Sequence, residues 1–216
     1  MTNCIAIGGN AMNSTAGNAV DGIISIGHSS LTALTTGARN TAIGYLAAGQ
    51  LETGTDNTAI GYASMGSSDG DVGSSYNTFL GTYSGNGSWA GGDIDKNTGI
   101  GYYALGSGAM NGAAGNTGLG YQALTAVTSG GYNIAIGHQA GLDVTSGGSN
   151  ILIGSLAGDN ITDASHIIAI GDSAVRNATT TSAAQRTIAI GSYSLTSLTS
   201  GNQNTAIGYY AGNAIT

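Results

Sequence analysis

Five residues, Asn57-Thr58-Ala59-Ile60-Gly61, return at a nearly fixed interval along the whole chain. Anchored on the glycine, the twelve copies fall at Gly8, Gly27, Gly44, Gly61, Gly81, Gly101, Gly120, Gly137, Gly154, Gly171, Gly191 and Gly208, 17 to 20 residues apart. Self-similarity at this period constrains the fold before any local propensity is weighed, because it builds stacked, near-identical units rather than a folded-back globule. The copies occupy nearly all of residues 1–216, so the chain reads as a single repeat array.

Aligned on the glycine, each column follows a rule. The residue before it is Ile or Leu in every copy, among them Ile43, Ile60 and Ile136. Three before it stands Thr or Ile, as in Ile5, Thr41, Thr78 and Ile188. These two columns share parity and point to one face of an extended strand. The residue between them is mostly small (Ala6, Ser25, Ala42, Gly99, Ala169), with Phe79 and Leu152 as exceptions. Seven residues after the glycine, the 17-residue copies carry Leu34, Leu51, Val127, Val144, Ile161 or Leu198 before a turn. This second apolar position reads as a shorter strand on the return leg, and the expected interior is the Ile/Leu file facing that Leu/Val file. Three residues after the glycine stands Ala or Ser in every copy, as where another backbone passes close by.

Asparagine precedes the glycine by four in Asn40, Asn57, Asn77, Asn97, Asn116, Asn133, Asn150 and Asn204. Asn tolerates left-handed turns, and stacked amides bond from coil to coil, so this column reads as a structural ladder. Cys4, Ile23, Ile167 and Thr187 interrupt it. A two-strand unit so small cannot bury its apolar face alone and must stack on its neighbours, roughly 4.8 Å apart. The expected fold is therefore all-β: a parallel β-solenoid or β-roll of about twelve coils. A helical reading fails because glycine at this frequency is costly in a helix and no 3.6-residue period appears. Pro 0 fits the same picture, since proline cannot donate to a ladder.

Charge narrows function more than it defines it. Lys+Arg 4 against Asp+Glu 11 gives no basic stripe for nucleic acid. No 18-residue apolar run offers a membrane span, and Cys4, the single cysteine, builds no disulfide framework within the chain. Met1-Thr2-Asn3-Cys4 does not open a secretory leader, and Ile215-Thr216 stops within a repeat, so continuation into neighbouring domains is expected.

Nothing assembles an active site, and no cofactor or metal is assigned. His28 and His138 occupy the position just after the repeat glycine, where Tyr45, Tyr62, Tyr102, Tyr121 and Tyr209 stand elsewhere, and read as members of a surface ladder. With Tyr83, Tyr103, Tyr193 and Tyr210 one place on, these tyrosines either form an exposed strip suited to carbohydrate or protein, or pack over the turn. Three consecutive coils are enlarged at 66–76, 85–96 and 106–115, so the extra residues are expected to protrude side by side from one edge. Such insertions are inert bulges or binding faces. As a binding face, the candidate patch is Trp89, Asp69, Asp71, Asp93, Asp95 and Lys96, with Tyr83 and Tyr103 beside it. The Asp69/Asp71 and Asp93/Asp95 pairs are of the oxygen-donor type that Ca²⁺ takes, but lack the glycine-rich nonapeptide of calcium-binding rolls.

The unit seen in Asn40–Gly49, Asn133–Gly147 and Asn204–Gly212 resembles the glycine-rich repeats of phage tail fibres, and the related Ala-Ile-Gly repeats of trimeric autotransporter adhesin heads. The resemblance implies a homotrimeric β-roll on the surface of a virion or cell, joined to neighbouring fibre domains. It further implies attachment to a host glycan or protein, without catalysis and without membrane insertion. Two other functions stand beside the tail-fibre reading. One is a bacterial adhesin head. The other is an ice-binding solenoid on stacked Thr41, Thr58, Thr78, Thr98 and Thr117, against which the Thr column alternates with Ile as an interior column does.

Overall fold

The computed structural model describes residues 2–15, 20–66, 73–89, 94–106, 109–176 and 184–215. Among them there is no helix, and the fold is a parallel β-solenoid. Each repeat contributes one three-residue strand just before its glycine: Ile5–Ile7, Ile24–Ile26, Thr41–Ile43, Thr58–Ile60, Thr78–Leu80, Thr98–Ile100, Thr117–Leu119, Ile134–Ile136, Ile151–Ile153, Ile168–Ile170, Ile188–Ile190 and Thr205–Ile207. These pair in chain order into one 12-stranded sheet. The register sets like on like, as in Thr41↔Thr58, Ala42↔Ala59 and Ile43↔Ile60. Enlarged coils do not disturb it: Thr58↔Thr78 and Thr78↔Thr98 pair as the short coils do.

The return leg departs from expectation. Among the described residues, only Val20–Asp21 and Gly37–Ala38 form a second sheet, of two strands. Elsewhere the return is a chain of turns, held by coil-to-coil backbone bonds such as Leu31 N–H to the Ala47 carbonyl (3.0 Å) and Leu124 N–H to the Ala140 carbonyl (3.0 Å). Left-handed residues stand two and four places after the repeat glycine, as in Leu46 and Ala48 (φ 57° and 46°), and five before it, as in Asp56 (φ 59°). A residue turned left-handed so often cannot continue a strand. The ladder asparagines, Asn40 through Asn150, are not among these residues; each directly follows one.

The strands also face the opposite way from expectation. The small middle residue points in and is buried, whereas Ile, Leu and Thr on either side point out and are half-buried or exposed. The Ile/Leu residues do form one stacked file, but it lies on the outer surface. The interior has room for few large side chains per level, and other columns supply them. Leu34, Leu51, Val127, Val144, Ile161 and Leu198 are buried as expected, and Leu31, Met65, Leu105 and Leu124, four places after the glycine, are buried with them. Phe79 and Leu152 test the rule. A Cβ on Gly99 would sit 2.8 Å from the Phe79 ring, and one on Gly158 would sit 2.8 Å from Leu152. A large middle residue is admitted only where its neighbours shrink.

Two polar features tie the coils together. The repeat glycine itself has a φ near 136° at Gly61, and a Cβ there would lie 2.5 Å from the Gly81 carbonyl oxygen. Glycine is needed both for the conformation and for the close approach. Beside it, Asn40, Asn57, Asn77, Asn97, Asn116, Asn133 and Asn150 are buried. The Oδ1 of each accepts from the backbone N–H of the corresponding residue in the next coil, from Asn57 N–H to Asn40 Oδ1 (3.0 Å) through to Ile167 N–H to Asn150 Oδ1 (2.8 Å). The amide nitrogens donate to the next coil's carbonyls, as Asn97 Nδ2 does to Ala113 (2.9 Å). The ladder satisfies backbone groups that buried turns otherwise leave unpaired. Where threonine replaces the asparagine, at Thr187, the buried hydroxyl has no hydrogen-bond partner.

Candidate functional site

Three surfaces of the rod are candidates for contact. The first is the outer face of the 12-stranded sheet. Its two files run unbroken from Ile5 and Ile7 to Thr205 and Ile207. Ile7, Leu80, Leu119, Ile134 and Ile207 rank among the exposed large apolar residues. A flat apolar strip this continuous is unusual on a surface that meets only water. Each half-exposed aliphatic leaves roughly 1 kcal/mol of burial unrealised, so the whole file amounts to something on the order of 10 kcal/mol.

The second is an aromatic file just past the repeat glycine. His28, Tyr45 and Tyr62 stack coil on coil with centroids 5.5 and 5.4 Å apart and planes within 15°. Tyr102, Tyr121 and His138 continue it at 5.4 and 5.2 Å. Between the two runs the repeat has Thr82, and Tyr83 leans into the gap, edge-on to Tyr62 (5.2 Å) and to Tyr102 (6.4 Å). A hydrogen bond with Tyr62 holds the Tyr83 phenol above its ordinary pKa. Tyr103 packs against both Tyr83 and Tyr102. In the stacked runs each ring covers the face of the next, so they present edges and hydroxyls. Sugars that pack on open ring faces do not fit there, whereas hydrogen-bonding partners do.

The third is the edge with the enlarged coils. Asp69, Asp71 and Asp93 lie outside the described residues. Trp89 does not protrude: it is 3% exposed and packs against Phe79, ring centroids 6.4 Å apart. Ile94 and Met110, from the same insertions, are also buried. These apolar insertion residues therefore feed the interior, where an apolar ring gains more than it does in water. Asp95 turns its carboxylate to the Ser75 N–H (2.7 Å). Among the described residues of the expected patch, Lys96 is exposed, and Tyr83 and Tyr103 belong to the aromatic file. Among the described residues, Trp89 is buried and so is not available to an exposed patch.

The sequence reading passed over the outer aliphatic face as a site because Ile was assigned to the interior. The signal was present in the middle column, which is Ala, Ser or Gly in ten of twelve copies. Among the described residues, no three His, Cys, Asp or Glu side chains group as metal ligands do, and no helix is long and apolar enough to cross a membrane. No protein-family model matches the chain, and no curated protein matches it in sequence.

Proposed function

We propose that the chain is a rigid segment of a surface fibre, most simply a phage tail fibre, that assembles as a homotrimer and carries attachment to a host cell. The observation that supports this reading is the outer face of the sheet. A stiff rod with one apolar strip along its whole length, and polar turns elsewhere, has the form of one strand of a parallel bundle. Three copies related by a threefold axis cover all three strips at once, which is the closed symmetry a fibre needs. The repeats' resemblance to tail fibres and adhesin heads points the same way, and a bacterial adhesin head uses the same assembly. The role is mechanical and adhesive rather than catalytic.

The molar mass in solution tests it. The 21.1 kDa chain is expected to sediment as a trimer. A monomer at micromolar concentration would remove the assembly and the fibre with it.

One observation favours a second reading. The Thr41, Thr58, Thr78, Thr98 and Thr117 column faces outward and in register from coil to coil, so the objection that it belongs to the interior falls away. As an ice-binding face, this strip has to remain uncovered. Thermal hysteresis from a monomeric protein supports that reading; a trimer without hysteresis removes it.

A further inference from the structure

The position five before the repeat glycine is left-handed in every coil, yet glycine or asparagine fills it in only three: Asn3, Gly22 and Gly115. The others are Arg39, Asp56, Tyr76, Lys96, Tyr132, Ser149, His166, Arg186 and Gln203. Left-handed backbone costs an ordinary L-residue about 1 kcal/mol or more; the column four after the glycine offsets that cost with buried core side chains, whereas no residue of this column is buried. This column instead gathers three of the chain's four Lys/Arg residues. The backbone holds them in line as a ridge. Lys96 N–H donates to the Ser75 carbonyl (3.2 Å), Gly115 N–H to the Asp95 carbonyl (3.1 Å), and Tyr132 N–H to the Ala114 carbonyl (3.0 Å).

Within the ridge, Tyr76, Lys96, Gly115 and Tyr132 follow in successive coils. Tyr132 is 72% exposed and Tyr76 57% exposed. Tyr132 lies down over Gly115, where a Cβ would meet its ring at 2.8 Å. The missing side chain at Gly115, one coil further on from Lys96, leaves room for the ring. Neither Tyr76 nor Tyr132 stacks on another ring among the described residues, so no aromatic covers them and Tyr132 keeps the face turned away from Gly115, in contrast to the stacked runs of the aromatic file. Arg39 is engaged by Asp56 (2.6 Å) and Arg176 by Asp159 (3.4 Å), whereas Lys96 forms no ion pair among the described residues.

We propose that Tyr76, Lys96 and Tyr132 bind a carboxylated glycan, with the sugar's C–H face on the open rings and its carboxylate on the Lys96 ammonium. The inference rests on the attachment reading and names the chemical class of its ligand. A convex ridge encloses little, so each site is weak, and repetition around a trimer supplies avidity. A linear, repeating polyanion exploits such a row better than a compact ligand.

The test uses the assembled chain with polygalacturonate and its fully methyl-esterified form, which keeps the rings and removes the charge. The wild type is expected to prefer the acid. Lys96→Gln should lose roughly fivefold in affinity for the acid only, with Lys96→Arg restoring it. Tyr132→Ala should weaken both forms by roughly fivefold. Equal binding of both forms by the wild type, binding of neither, wild-type behaviour of Lys96→Gln, or a stronger preference for poly-glutamate overturns the ridge. Host-cell adhesion separates the two ideas. Adhesion that survives both substitutions removes the ridge and leaves attachment standing. A wild type that prefers the acid but adheres to no host cell removes attachment and leaves the ridge.

Discussion

The two sides of each strand obey opposite rules. Inside, the middle column holds Ala42, Ala59, Ala135, Ala169 and Ala189, all buried; outside, Ile and Leu of twice the bulk stand half-covered. Hydrophobicity alone ranks them the other way. The difference shows that the interior of a narrow coil is limited by volume, whereas its surface is limited only by what else can cover it. A side chain's place follows from the space opposite it, and Phe79 beside Gly99 is the same rule seen from its exception.

The comparison can be broken most severely from inside. Trp89→Ala is expected to cost about 3–5 kcal/mol by leaving a cavity against Phe79. Thermal unfolding measures it, and an unchanged midpoint would return Trp89 to the surface. Ala135→Leu, which adds bulk where the neighbouring Leu124 and Leu152 are already large, should cost about 1–3 kcal/mol by the same measurement. Outside, Ile60→Asp should change the stability of the isolated coil stack by less than about 1 kcal/mol yet abolish the proposed trimer in sedimentation. A strongly destabilised monomer would mean the face is core after all.

The smallest effects are those of charge, and here too inside and outside oppose. The hydrogen bond from Arg39, with its charge, holds the exposed Asp56 carboxyl below the ordinary carboxylate range. Its contribution is present above pH 4 or so and is lost as pH falls through the lowered value. Burial pushes Asp159 up, only partly offset by Arg176. Its stabilisation is complete below about pH 4 and is lost as pH rises through the raised value. Asp56→Asn should therefore lower the melting temperature at pH 7, and Asp159→Asn should raise it. Both differences should vanish near pH 2, and melting curves at the two pH values check the signs.

Much of the architecture was legible in the chain. The glycine period gave the coil count, the invariant Ala/Ser column the tight interior, and the asparagines an internal ladder, because each is a local rule repeated eight to twelve times. What was not legible depended on distance across the coil. Strand parity shows that Thr58 and Ile60 share a side, not which side; that is decided by Leu51 and Met65, which fill the space from other turns. The return leg was read as a strand because Leu198 or Val144 followed by Thr looks extended, but the left-handed residues that bend it carry ordinary side chains such as Leu46 and Tyr83. Of the candidate patch, Trp89 was misplaced because an aromatic in an insertion reads as display. Tyr76 and Tyr132 were overlooked because their column has no repeated letter to mark it.

The asparagine ladder has a further consequence. Every amide oxygen takes its proton donor from the coil that follows, never from the one before, so the bonds behave as arrows laid nose to tail. Excising one 17-residue turn would rejoin arrow to arrow with nothing left dangling, and inserting one would do the same. The molecule is thus a ruler whose length evolution can trim or extend by whole gradations, leaving the remaining marks where they were.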